Sequence, residues 1–99
     1  MKFEFTAKGK IIVYAGMGAW QFFIINKATT KKIKSIVAGQ TKGWHSVKVR
    51  ATVNKFTWDT SIFPSKDGTY FLPIKAEVRK KTGIDAGDTI TVDFYLMGY

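Results

Sequence analysis

Alternating apolar and polar residues predict β-strands along most of the chain. In residues 47–53, valine or alanine occupies every second position between lysine, arginine and threonine. Because successive side chains of a strand point to opposite faces, this alternation predicts a strand with one buried and one solvent-facing side. The first strand begins near Phe3 and is expected to end at Gly9. Further strand-like stretches lie at residues 11–14, 20–25, 56–62, 70–72 and 90–94. The residues expected to point inward are Phe3, Phe5, Phe22, Val47, Val49, Ile62, Leu72, Ile90 and Val92.

Two segments between the predicted strands have the spacing of short amphipathic helices. Asn26 and Thr29 are both N-cap residue types, and apolar residues follow them three and four positions apart. Pro73 suits the start of a second helix, and Gly83 suits its C-terminal cap. Both helices are basic: the first carries Lys31, Lys32 and Lys34, and the second carries Lys75, Arg79, Lys80 and Lys81.

The order strand, short basic helix, strand occurs twice along the chain. Residues 20–25 and 47–53 flank the first helix, and residues 70–72 and 90–94 flank the second. We therefore expect a pseudo-two-fold repeat, although few residues match between the halves. A closed barrel would leave no strand edge exposed. The predicted fold is mostly β, a small closed barrel of about six or seven strands with two short helices, in one domain that spans residues 1–99.

Charge and composition favour a cytoplasmic protein with an anionic partner. Sixteen Lys and Arg residues against seven Asp and Glu residues give a net charge of +9. Such a charge attracts nucleic acid or phosphorylated ligands, but it is also typical of a well-solvated surface. The chain has no cysteine and one histidine, so we expect no metal site and no cofactor. No stretch has the apolar length of a membrane span or of a signal peptide.

No pattern in the sequence identifies an enzyme. Gly16-Met17-Gly18 is followed by an aromatic stretch rather than by the helix N-terminus that a nucleotide-binding loop needs. His45, Ser61 and Asp59 supply residue types of a nucleophilic triad, but no nucleophile-elbow spacing connects them. An enzyme of unknown reaction is therefore the third choice among the function classes.

Aromatic and basic residues occur together in the middle of the chain: Trp44, Trp58 and Tyr70 lie near Lys48, Arg50, Lys66 and Arg79. One interpretation is a surface that stacks on aromatic groups while it neutralises phosphate. The preferred interpretation of this cluster is that the aromatic residues fill the barrel and the cations extend over it. Trp44 stands out because it lies in a polar, glycine-flanked stretch. The candidate ligand-binding residues are Trp44, Trp58, Ser61, Lys66 and Arg79.

Several segments resemble a known protein family. Residues 68–74 (GTYFLPI), 78–80 (VRK) and 82–88 (TGIDAGD) resemble the second half of the family catalogued as domain of unknown function 1905. Gly18-Ala19-Trp20, Gly43-Trp44 and residues 47–53 and 58–64 resemble its first half. The resemblance implies an architecture similar to the AbrB-like double-split β-barrels. It implies no established activity.

The second half also resembles an AbrB-like DNA-binding module, with Thr69 where such modules commonly carry arginine. Those modules pair to complete one barrel, so a chain twice as long implies a monomer that completes the barrel alone. Our leading interpretation is a non-enzymatic binding domain for an anionic ligand. The alternative implied by the resemblance is nucleic-acid binding through the two basic helices, by Lys31, Lys32, Lys34, Lys75, Arg79, Lys80 and Lys81.

Overall fold

Six strands and two helices make up the part of the chain that a computed structural model describes, residues 3–14, 20–38 and 46–99. The strands pair antiparallel in the order β1-β2-β5-β4-β3-β6 and close into a barrel. The predicted mostly β fold, a closed barrel with two helices, is confirmed. In chain order the elements are β1 (Glu4–Tyr14), β2 (Trp20–Ile24), α1 (Lys27–Val37), β3 (Val47–Val53), β4 (Phe56–Pro64), β5 (Tyr70–Pro73), α2 (Ala76–Thr82) and β6 (Thr89–Leu96).

Strand β1 continues through Gly9, so the prediction that it ends there is wrong. Its first part pairs with β6, and its last four residues pair with β2. A Cβ atom on Gly9 would lie 3.3 Å from Cε1 of Phe23. The missing side chain therefore makes room for a buried aromatic ring while the strand passes from one neighbour to the other.

Tight turns join the strands where the sequence has turn residues. Asn54 and Lys55 have φ values of 48° and 67° and form the two-residue loop between β3 and β4. In the turn between β4 and β5, Oδ1 of Asp67 accepts hydrogen bonds from the hydroxyl of Thr69 at 2.6 Å and from its backbone N–H at 3.0 Å. These bonds to the ionised carboxylate, the hydroxyl first, lower the pKa of Asp67.

Apolar side chains from all six strands and both helices fill the barrel. The inner face of β3 is the most regular part, since all four of its alternating apolar residues are buried. Phe3 and Phe5, which we expected inside, pack against this core and are partly buried. The other residues expected inside and found in the core are Val47, Val49, Ile62, Leu72, Ile90 and Val92.

Aromatic rings also form a row on the outside of three neighbouring strands. Phe22, which we expected inside, is buried in this row, whereas Phe23 lies in the core. Strand β2 is apolar on both faces, so alternation could not select its inward face. We call the four rings the outer aromatic row: Trp20, Phe22, Phe71 and Phe63, in this order, with successive ring centroids 6.0, 4.9 and 5.7 Å apart.

The two helices leave opposite ends of the β2–β5 pair. Helix α1 follows Ile25, whose backbone N–H donates to the carbonyl of Tyr70 at 2.9 Å. Helix α2 follows Ile74, whose N–H donates to the carbonyl of Gln21 at 2.9 Å. Because β2 and β5 are antiparallel, these two junctions lie at opposite ends of the pair.

The helix ends differ in one respect from the sequence prediction. Asn26 caps α1, since its Oδ1 accepts the N–H of Thr29 at 2.7 Å. Pro73 does not start α2; it is the last residue of β5, and Lys75 is the N-cap. Gly83 ends α2 with φ 75°, as predicted. Neither helix is long and apolar enough to cross a membrane, as far as the described residues show.

Candidate functional site

A cleft of about 770 Å³ lies where strands β4 and β5 separate. Within the described residues, these strands pair only at Phe63–Phe71 and Pro64–Tyr70. The rest of β4 stays paired with β3, whereas β5 continues to Pro73 and into α2. The cleft is therefore bordered by β4, by the β5–α2 junction and by the first residues of β2.

One part of the cleft is apolar. Trp20 and Phe63, the two end members of the outer aromatic row, line it together with Pro73 and Met97. Trp20 is 55% exposed and Phe63 is 38% exposed, although both side chains are large and apolar. An apolar group of a ligand would therefore meet two partly exposed aromatic rings.

Three cations line the same cleft: Lys48, Lys75 and Arg79. Lys48 is on β3, directly opposite Ser61 of β4, which also lines the cleft. Nη1 of Arg79 donates a hydrogen bond to the backbone carbonyl of Ile74, and this contact holds the guanidinium at the β5–α2 junction. Positive charge is thus contributed by β3 on one side and by the start of α2 on the other.

Asp59 is the only carboxylate among the described residues that line the cleft. Its oxygens accept hydrogen bonds from Nε and Nη2 of Arg50 at 2.6 and 3.0 Å. This two-point contact with a cation lowers the pKa of Asp59. The charge of Asp59 is therefore balanced by an arginine outside the lining, which leaves the three lining cations to attract an anion. In the described part of the chain, no group of three or more His, Cys, Asp or Glu side chains could hold a metal ion.

Gln21 forms the part of the wall next to Trp20. Its Nε2 donates to Oδ1 of Asp85 at 2.7 Å, and the same oxygen accepts the N–H of Ala86 at 2.9 Å. The bond from Gln21, then that from Ala86 and the positive charge of Arg79, lower the pKa of Asp85. The ionised Asp85 therefore ties this wall to the loop that precedes β6.

A family model described as a domain of unknown function (DUF1905) matches residues 5–94 of the chain. The chain belongs to the DUF1905 family. The matched range contains every lining residue of the cleft except Met97. No curated protein matches the chain. Since the family description gives no activity, the function of this DUF1905 domain has to be inferred from its cleft.

The structure brings two of the five predicted ligand-binding residues of the DUF1905 domain into the cleft, Ser61 and Arg79. Trp58 instead packs against the hydrophobic core and is stacked on a neighbouring phenylalanine ring at 5.9 Å. Lys66 is exposed in the turn between β4 and β5 and does not line the cleft. Trp44 lies outside the described residues.

Most lining residues of the DUF1905 domain were not among the predicted ligand-binding residues, and three of these bear on ligand binding: Trp20, Lys48 and Lys75. Trp20 was not selected, Lys48 was named only as one of the basic residues near the aromatic residues in the middle of the chain, and Lys75 was selected only for the nucleic-acid alternative. A signal for Trp20 was available in the sequence: residues 20–25 are apolar on both strand faces, so some of their aromatic rings have to lie outside the barrel. No local signal places Lys48 beside the β5–α2 junction.

The helical cations of the DUF1905 domain lie at the two ends of the β2–β5 pair. Lys31 and Lys32 are exposed on α1, and Lys80 and Lys81 are exposed on α2. Lys34 is partly buried near the turn at Gly68. A duplex backbone would contact cations gathered on one face, whereas α1 and α2 begin at opposite ends of this strand pair. The remaining two cations of the nucleic-acid alternative, Lys75 and Arg79, line the cleft.

Proposed function

We propose that this domain binds a small anionic ligand in the cleft and catalyses no reaction on it. One observation carries the proposal: Lys48, Lys75 and Arg79 converge on a concave site whose one described carboxylate is paired with Arg50. Apolar walls strengthen the attraction of clustered cations for an anion. The volume of about 770 Å³ lies within the range of small-molecule sites, roughly 300 to 1,000 Å³.

The polar groups of the cleft suit a phosphate or a carboxylate. Ser61 supplies a hydroxyl donor opposite Lys48 in the register of β3 and β4. Arg79 offers planar guanidinium donors, of which the structure commits Nη1 to the carbonyl of Ile74. The net charge of +9 also raises the local concentration of anions around the domain.

Binding without catalysis is favoured by the chemistry of the lining residues. Ser61 is the residue type of a nucleophile, but the carboxylate on the same face of β4 is Asp59, which Arg50 holds in its ionised form. A carboxylate with a lowered pKa is a poor general base at neutral pH. Histidine does not occur among the described lining residues.

We also propose that the barrel is a double-split barrel of AbrB-like architecture, with two halves related by a pseudo-two-fold axis. The strand order supports this proposal, because exchanging β1 with β4, β2 with β5 and β3 with β6 reproduces it. The backbone hydrogen bonds at the two helix junctions also correspond to each other under this exchange of strands. The bond from Ile25 to Tyr70 then corresponds to the bond from Ile74 to Gln21.

The comparison of the two proposed halves supports a ligand role for the cleft cations. Thr30 and Arg79 each donate a hydrogen bond to the carbonyl of the residue that precedes the N-cap of their own helix. The N-caps themselves are Asn26 and Lys75. At the α1 junction a neutral side chain, Thr30, forms the bond that Arg79 forms at the α2 junction, so this bond does not require a cation. Asn26 also caps its helix, whereas the side chain of Lys75 forms no cap hydrogen bond. Neither contact accounts for the positive charge of the α2 junction, which supports a ligand role for Lys75 and Arg79.

Isothermal titration calorimetry with ribose 5-phosphate at low salt tests the proposed anion site. Lys48→Ala and Lys75→Ala should each weaken binding at least about threefold, because each removes one charge from the cleft. Lys80→Ala is the matched control: it removes the same charge from an exposed position on α2 that does not line the cleft. Absence of binding by the wild-type protein, or equal losses in all three variants, would contradict the proposal.

A further inference from the structure

The positions of two aromatic rings in the cleft are not explained by folding. Trp20 and Phe63 are the end members of the outer aromatic row, and neither belongs to the hydrophobic core or to the residues packed against it. The two inner members of the row, Phe22 and Phe71, pack on each other edge to face. The end rings therefore have fixed neighbours on one side and the cleft on the other.

Trp20 has the larger unoccupied surface of the two. The centroids of its ring and the Phe22 ring are 6.0 Å apart, and the two ring planes form an angle of 45°, yet 55% of Trp20 remains exposed. Tryptophan supplies a large, rigid aromatic face that gains from stacking and from removal of its apolar area from water. A ring placed on this face would gain both contributions.

The exposed indole and the cations of the α2 junction line the same cleft, and a backbone hydrogen bond joins the segments that carry them. The backbone hydrogen bond from Ile74 to Gln21 joins the residues that directly follow Trp20 and directly precede Lys75. Arg79 is held at the same junction through the carbonyl of Ile74. An aromatic surface and two positive charges are therefore supplied within one small part of the cleft.

From this juxtaposition, and resting on the proposed anion site, we infer that the ligand is a nucleotide-like aromatic phosphate. Its ring stacks on Trp20, and its phosphate contacts Lys75 and Arg79. An aromatic ring fits the site better than an alkyl chain, because Phe22 packs against only part of the indole and planar rings stack on the aromatic face that stays exposed. Trp20 is then the residue that determines specificity, and the cations provide the attraction common to all phosphates.

Calorimetric titration with adenosine 5′-monophosphate, ribose 5-phosphate and hexyl phosphate tests the inference. The first two share the sugar and the phosphate and differ by the base, so their affinity ratio measures the contribution of the ring. We expect the wild-type protein to bind adenosine 5′-monophosphate about tenfold more tightly than either other compound, which is within the range of base stacking on an aromatic side chain.

Two variants assign that ratio to Trp20. Trp20→Leu keeps an apolar side chain outside the core and should reduce the ratio to about one while ribose 5-phosphate binding stays within twofold. Trp20→Phe should retain most of the ratio, because it keeps an aromatic face. Circular dichroism should show both variants folded.

Three outcomes would overturn the inference. Equal binding of adenosine 5′-monophosphate and ribose 5-phosphate by the wild-type protein excludes a ring-binding site. Equal binding of hexyl phosphate and adenosine 5′-monophosphate shows that the site takes any apolar group. An unchanged ratio in Trp20→Leu places the ring elsewhere. In each of these cases the anion site stands, whereas no binding of any of the three phosphates removes the proposed function itself.

Discussion

Replacement of Val49 by alanine tests whether the inner face of β3 is correctly assigned. Val49 is 0% exposed and pairs with Thr60 on β4 and Leu96 on β6. The substitution removes two methyl groups, each worth about 0.8 kcal/mol when buried, and leaves a cavity. The free energy of unfolding should therefore fall by about 2 to 3 kcal/mol, and Tm by roughly 10 to 20 °C for a chain of this size.

Replacement of Ile90 by alanine extends the same test to β6. Ile90 is 7% exposed and lies opposite Gly9 of β1. Because Gly9 has no side chain, it cannot fill the space that the substitution creates. Three carbon atoms are removed, so the free energy of unfolding should fall by about 2 to 4 kcal/mol.

Val13→Ala provides the matched control for these two substitutions. It removes the same atoms as Val49→Ala from a strand, but Val13 is 48% exposed. The free energy of unfolding should fall by less than about 1 kcal/mol in Val13→Ala. Part of this loss comes from the lower strand preference of alanine, which contributes equally in Val49→Ala. Urea unfolding, monitored by circular dichroism, measures the stability of all three variants. The slope of the free energy of unfolding against urea concentration should be the same in each variant as in the wild-type protein. Losses below about 0.5 kcal/mol at both Val49 and Ile90, or equal losses at Val13 and Val49, would refute the inward assignment.

Three further predictions concern assembly, pH and nucleic acid. One chain closes its own barrel, so light scattering at micromolar concentration should give the monomer mass of 11.2 kDa; an interlocked dimer would contradict this. The pKa of Asp67 is lowered in the folded state, so the stability advantage of the wild-type protein over Asp67→Asn should be complete above about pH 4 and disappear as the pH falls further. An advantage that does not change down to about pH 2 would exclude this linkage. Because the helical cations are divided between two ends, duplex and single-stranded DNA probes should show no mobility shift at about 50 mM salt. A shift that is weakened by alanine at Arg79, Lys80 and Lys81 together would favour the nucleic-acid alternative.

The strands and turns of this domain could be predicted because their signals are local. The alternation in residues 47–53 and the two-residue turn at Asn54-Lys55 need no knowledge of the rest of the chain. Gly83 likewise ends α2 because its φ of 75° suits a residue without a Cβ atom. Each of these features follows from the backbone preferences of a few neighbouring residues.

Two of the errors have a different origin, since they depend on contacts with other parts of the chain. Gly9 continues β1 because the ring of Phe23 fills the space beside it. Phe22 faces outward because Trp20 and Phe71 bury it from the outside. Local patterns predict that a strand ends at a glycine and that a phenylalanine lies in the core. Neither rule contains information about the side chain that packs against the residue in the folded protein.

The position of the cleft was beyond sequence reasoning for the same physical reason. Trp20 and Lys75 are far apart in the chain and line one cleft because the β2–β5 pairing and the bond from Ile74 to Gln21 join their segments. Net charge favours an anionic partner but does not locate a site for it, since among the described Lys and Arg residues three line the cleft and the others lie elsewhere on the domain. At the α1 junction, Thr30 forms the bond to the carbonyl before the N-cap that Arg79 forms at the α2 junction, so this bond does not require a cation. The anion site that we propose supplies a reason for the cations of the α2 junction that local sequence patterns do not contain.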